Sequence, residues 1–267
     1  MGNPRGKLMK KIAALVLSLA VLGTARAGEK PAENPEKAGE TAEVLPQGFT
    51  EITARQVLVE TAGIGTPEFR EAVEKLGKKI VEGGAESGEK ELAALLRDAQ
   101  ALLDAEKGSQ VVSVSADAQF ADFIKKNPKS KIRRAEWAFQ KLYFLEAFML
   151  AEKGETDKAL KALDGLLKLA PYCSDAYCER GYILNRLGQP EAALESYRQA
   201  AELAGAYGTE RHNQAVALRG AGFSLTSLGK YADARQAYNK SLEYAPGNKI
   251  AQDGLAAIIQ LEKNAGQ

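Results

Sequence analysis

The chain is poor in the side chains that usually carry chemistry: one histidine, His212, and two cysteines, Cys173 and Cys178, in 267 residues. Zinc sites take three or four ligands, drawn mostly from His and Cys. Cys173, Cys178 and His212 lie at unlike spacings with no second histidine, so no metal ligand is expected. A dithiol redox catalyst favours Cys-x-x-Cys, whereas four residues separate these two cysteines. No nucleophile and base pair up in the sequence. No catalytic residue and no cofactor is therefore expected.

Excess charge is also lacking. The formal net charge is +1, and five of the 36 basic side chains (Arg5, Lys7, Lys10, Lys11, Arg26) fall in the first 27 residues, which hold no acid. The rest carries 31 basic against 35 acidic side chains. A mildly acidic chain has no electrostatic reason to seek phosphate backbones, so nucleic acid is not an expected partner.

No apolar run approaches the about 20 residues that span a bilayer. The longest, IAALVLSLAVLG at 12–23, follows the basic stretch RGKLMKK and precedes Ala25-Arg26-Ala27. That order predicts a secretory signal over 1–27; an uncleaved anchor is the competing reading. With the signal removed no membrane span is expected. The protein is then exported, to the periplasm or cell envelope, with full secretion as a variant of that reading. Residues 28–47, rich in Glu, Lys, Gly and Pro, bury too little to order themselves and predict a disordered tether.

Residues 48–130 predict an N-terminal helical region. Thr53 to Gln56 has capping-box spacing for a short helix ending near Ala62. Thr66 with Pro67 opens a second, in which Phe69, Val73, Leu76 and Ile80 form one face. Ser87 starts a third, with its stripe at Leu92, Leu95, Leu96, Ala99, Leu102 and Leu103, and the pair predicts a helical hairpin. Val111 to Ser115 reads as extended but is too short to claim a sheet, and Pro128 closes a further helix.

A repeat fills 131–265. Gly154, Gly188 and Gly229 are each followed five residues on by Ala159, Ala193 and Ala234, and four further by Leu163, Tyr197 and Tyr238. Seven residues before them stand Ala147, Gly181 and Gly222; four before, Leu150, Leu184 and Leu225. The first two glycines are 34 apart, and the third lies 41 further on, with the insertion near AGAYGTERHN. This resembles the tetratricopeptide repeat (TPR), a helix-turn-helix unit of 34 residues. The fold class expected is all-α: a solenoid of three such units plus a C-terminal capping helix, in which Ile250, Leu255, Ile258 and Ile259 cover the exposed end. The first helix of the first unit is expected to extend back to Lys131, with Trp137 packed between the halves.

In this register Ser174 caps the second unit's first helix, bringing Cys173 and Cys178 to the two positions that touch in a hydrophobic staple. Two readings stand: a disulfide, favoured by an exported, even-cysteine chain, or a reduced apolar staple. His212 falls in the inserted turn, at the surface.

The resemblance implies an exported bacterial-type repeat protein that binds a protein or peptide along the concave face of its first helices. Phe148, Tyr182 and Phe223 form one aromatic row there, with Asn185, Arg186 and Arg219 beside it. That set suits a segment with acidic or carboxylate groups; packing of the same aromatics between helices is the rival. In the clamp form of the family, lysine and asparagine grip a C-terminal carboxylate. Cys178 and Glu179 stand in place of such residues here. The function expected is a non-enzymatic cell-envelope adaptor or scaffold. The alternatives are a structural subunit of a secretion or surface assembly, or a cell-wall-related activity in the N-terminal half.

Overall fold

The computed structural model describes residues 64–207 and 211–265. The expected signal, the tether and the helix ending near Ala62 lie outside the described residues. Within them the chain forms ten α-helices, one short 3-10 turn and two strands.

Helix α1 (Pro67–Gly83) starts as its sequence dictates. Thr66 Oγ1 accepts from the Phe69 N–H at 3.2 Å, with Pro67 in the first turn, where its missing N–H costs nothing. Its apolar face, Phe69, Val73, Leu76 and Ile80, is buried. A 3-10 turn (Ala85–Gly88) leads into α2 (Glu89–Asp104).

The next stretch departs from the all-helical expectation. Strand β1 (Gln110–Ser113) pairs in parallel with β2 (Ile132–Ala135), and α3 (Asp117–Lys126) crosses between them. Ile64 adds a bridge to Ala135, its N–H donating to the Arg134 carbonyl at 2.8 Å. The first repeat helix therefore does not reach back to Lys131: α4 runs Trp137–Glu152. Pairing with a strand 22 residues upstream outweighs local helix propensity, because Ile132 and Ala135 become fully enclosed.

Trp137 moves with that boundary. As the first residue of α4 it is 36% exposed, with Lys141 Nζ 5.8 Å from its ring centre, rather than packed between the halves. The junction is made instead by Phe139, Leu142, Leu145 and Met149 of α4 against Phe69, Val73 and Leu76 of α1. The Phe69 and Phe139 ring centres lie 4.8 Å apart. A two-pronged Arg70–Glu136 ion pair (2.8 and 3.0 Å) ties α1 to the start of α4.

From α4 the hairpins stack: α4 with α5 (Thr156–Leu169), α6 (Ser174–Arg186) with α7 (Pro190–Ala206), and α8 (Arg211–Ser227) with α9 (Tyr231–Tyr244). Helix α10 (Lys249–Ala265) closes the stack. Gly154, Gly188 and Gly229 make the three inter-helix turns at φ of 78°, 73° and 72°, which side chains rarely adopt.

The large residue of the second helix is seated on bare backbone in α7 and α9. A Cβ at Gly181 would lie 2.9 Å from the Tyr197 ring, and one at Gly220 only 2.2 Å. Tyr238 is held the same way by Gly222 (3.0 Å) and Gly254 of α10 (2.4 Å). Since Gly254 follows Gly220 by 34 residues, α10 is a fourth first helix in register. Of its four expected covering residues, Ile250 and Ile258 are buried and Leu255 is half-buried. Ile259 is not: it is 47% exposed, one position round the helix from Ile258.

The βαβ unit is fastened to the back of the repeats. Tyr172 and Tyr207 both donate to Asp122 Oδ2 of α3, at 2.6 and 3.2 Å, and Lys126 pairs with the same oxygen at 2.7 Å. Beneath them Val112, Val114, Phe120, Phe123, Ile132 and Tyr172 form a small core.

The cysteine staple is also corrected. Helix α6 begins at Ser174, so Cys173 itself is the N-cap residue. That one-residue shift turns the side chains apart: Cys173 packs with Ala147, Leu163 and Tyr182, and Cys178 with Tyr197 and Val216. Both side chains are buried. His212 is exposed, in the first turn of α8.

Candidate functional site

The first helices α4, α6 and α8 present the face on which the candidate residues were placed. Helix α4 is apolar on every side, a pattern that needs cover all round. Its buried sides meet α1, α2 and α5, while Phe144 and Phe148 stay half-buried. Phe148 packs beside the cluster that also holds Tyr182.

On α6 a single stripe runs Asp175, Glu179, Tyr182, Arg186, spaced four, three and four residues apart as one helical face requires. Tyr182 is 7% exposed, and burial raises its phenol pKa. The Arg186 guanidinium is exposed and lies over its ring, 5.7 Å from the centre. Asn185 is half-buried and already engaged: its Oδ1 accepts from Ser224 Oγ of α8 at 3.1 Å. Phe223 is half-buried on α8.

Arg219 departs from its expected role. It is 3% exposed, Nη1 lies 3.5 Å from Ser241 Oγ of α9, and among the described residues Nε has no hydrogen-bond partner. The bare backbone of Gly220 and Gly222 just after it admits Tyr197 of α7 and Tyr238 of α9 at close range. Burial pulls its guanidinium below the usual arginine range. It is a core residue and offers no charge to a ligand.

The residue missed as a site is Glu179. It is 4% exposed, and among the described residues its Oε1 has no hydrogen-bond partner. Burial pushes its carboxyl up to about 7; Glu152 and Asp175 add to the rise, and Arg186 opposes it. The stripe from Asp175 to Arg186 was visible in the sequence, but not the enclosure of its second member.

On the N-terminal half, α1 and the 3-10 turn border an open depression of about 380 Å³, lined by Lys75, Lys78, Lys79, Glu82, Gly83 and Ser87. Its lysines are paired with Glu71, Glu82 and Glu91, which leaves little net field for an anion.

Residues 172–246 match the family model described as tetratricopeptide repeat. Human "Protein O-mannosyl-transferase TMTC1" is 31% identical over 125 residues, 45% of this chain and 13% of that protein. "Small glutamine-rich tetratricopeptide repeat-containing protein 2" of Mycosarcoma maydis is 28% identical over 99 residues, 37% of this chain and 26% of that one. The chain thus spans about an eighth and about a quarter of the length of these relatives. Two solved structures are similar. The first TPR of Spaghetti (RPAP3), bound to the HSP90 peptide SRMEEVD, has a TM-score of 0.42 and 20% identity over 46% of this chain and 93% of that one. The second TPR domain of human RPAP3, in complex with the HSP70 peptide SGPTIEEVD, has a TM-score of 0.40 and 22% identity over 45% and 95%.

Proposed function

We propose that this chain, whose residues 172–246 are tetratricopeptide repeats, is a non-enzymatic adaptor. It holds an extended or helical segment of a partner protein against α4, α6 and α8. The observation that carries this reading is a face left uncovered among the described residues. Phe144, Phe148 and Phe223 stay half-buried, and the exposed Arg186 is stacked on Tyr182. Aromatic and arginine side chains are the types that dominate interface energetics. Asn185 is fixed in place beside them, its oxygen accepting from Ser224 Oγ. Residues 1–27 direct export, and the adaptor works in the cell envelope.

The test is a pull-down from envelope extract with the natural chain and a Phe223→Ala/Arg186→Glu variant, both checked for folding by circular dichroism. A partner held by the natural chain and lost from the folded variant supports the groove. A partner held equally by both moves the function to another face. Mass spectrometry of the exported chain is expected to find Gly28 at its N-terminus; a retained Met1 overturns cleavage.

A further inference from the structure

We propose that the partner segment is basic, and that one of its lysine or arginine side chains enters the groove between α4 and α6 to meet the carboxylate of Glu179. This rests on the groove reading above and reverses the sign of charge the sequence suggested.

The case begins with what Glu179 lacks. A buried carboxylate with an unpartnered oxygen is costly, and such groups are rare in folded proteins. Glu179 is 96% enclosed, and among the described residues its Oε1 is unpartnered. Its stripe on α6 includes the groove residues Tyr182 and Arg186, and the charges that act on it are those of Glu152, Arg186 and Asp175. It therefore faces the groove side of the stack. Glu152, the last residue of α4, is exposed.

Among the described residues, Glu179 and Glu152 stand there against Arg186, which stays outside, over the Tyr182 ring. The second cation expected in the groove, Arg219, is buried beside Ser241 of α9. An acidic partner would meet Glu152 and Glu179 with like charge, which opposes binding. A cationic side chain is instead attracted along its whole length. Its methylene stem would lie along Phe148 and Tyr182, and its charged head would supply the hydrogen bonds that Oε1 lacks. A metal ion is the less suitable cation, since among the described residues no three His, Cys, Asp or Glu side chains gather closely enough to hold one.

The probe is a phage-displayed library of random dodecapeptides, selected on the immobilised full chain. The leading sequence is then synthesised for fluorescence anisotropy. Enrichment of Lys or Arg is expected. Affinity should fall at least tenfold both with Glu179→Gln and with Lys→norleucine in the peptide, and the two losses together should be no larger than either alone. That variant removes only a charge, so it leaves the fold intact. Enriched peptides that are acidic, or basic ones that bind Glu179→Gln as tightly as the natural chain, overturn the proposal while a loss with Phe223→Ala keeps the groove. Peptides indifferent to Phe223→Ala and Glu179→Gln alike, or no enrichment at all, overturn both.

Discussion

Replacing Glu179 with glutamine should stabilise the protein, and by an amount that depends on pH in one direction only. The carboxyl stands at about 7 in the folded chain against an ordinary 4.5. At about 1.4 kcal/mol per pH unit that gap corresponds to about 3 kcal/mol. The sign follows from proton counting. Between those two pH values the folded chain keeps a proton that the unfolded chain has lost, so stability falls as pH rises. The penalty is absent below the unfolded value and complete once pH has passed the folded one. Glutamine has no such ionisation. The excess stability of Glu179→Gln over the natural chain should therefore grow from about 1 kcal/mol at pH 5 to about 3 kcal/mol at pH 8. Urea unfolding followed by far-ultraviolet circular dichroism at pH 5, 6, 7 and 8 measures it, as the shift in midpoint at constant slope. The other carboxylates titrate in both proteins and cancel in the difference. A difference that stays within about 0.5 kcal/mol from pH 5 to 8, the range of ordinary surface substitutions, would refute the burial of this charge. So would one that grows toward acid.

The seat of Tyr197 is tested by Gly220→Ala. The added methyl would lie 2.2 Å from a ring that is 1% exposed, so overpacking should cost about 2 kcal/mol or more. Calorimetry reads this as a clear drop in Tm, and an unchanged Tm would sink the slot. Asp122→Asn should loosen the βαβ unit, at about 1–2 kcal/mol for the charge-assisted bonds from Tyr172 and Lys126. Hydrogen bonds from Lys126 and then Tyr172 hold its carboxyl below the usual range. Its stabilisation is thus present above the unfolded value and lost as pH falls through the lower folded one. Amide exchange in 110–135 should speed up in the variant at pH 7; unchanged protection there would count against the tie.

What was legible in the sequence was whatever rests on short spacings. The Thr66 cap, the α1 face and the three turn glycines depend on residues a few positions apart, and each stands where the sequence placed it. The 34-residue period is of the same kind, because neighbouring hairpins repeat one local pattern. The failures share a different cause. Strand β2 exists because Gln110–Ser113 lies beside it, and no local signal in Ile132–Ala135 announces that partner. Trp137 was misplaced as a consequence, since its burial was argued from a helix that starts six residues too early. Arg219 was put on the right helix and the right turn. Its enclosure depends on how closely α7 approaches Gly220 and α9 approaches Gly222, which is a property of several helices and not of one.

Glu179 belongs to the same lesson at one further remove. Counting in register, it occupies in α6 the position that Gly220 has in α8 and Gly254 in α10. Those glycines are required because the preceding hairpin ends its layer with Tyr197 or Tyr238, whose rings lie on the bare backbone. The hairpin before α6 ends its layer with Leu163, which is buried but lacks the reach of a tyrosine. By the same register Leu163 stands opposite Glu179, so a buried carboxylate occupies a position where an apolar side chain would carry no desolvation cost. A stack built for stability alone would place leucine or methionine there. The large-to-small pairing of successive layers, tyrosine with glycine and leucine with glutamate, explains how the charge can be housed. The groove that it faces, with a tyrosine on one side and Glu152 on the other, explains what a housed charge there can do.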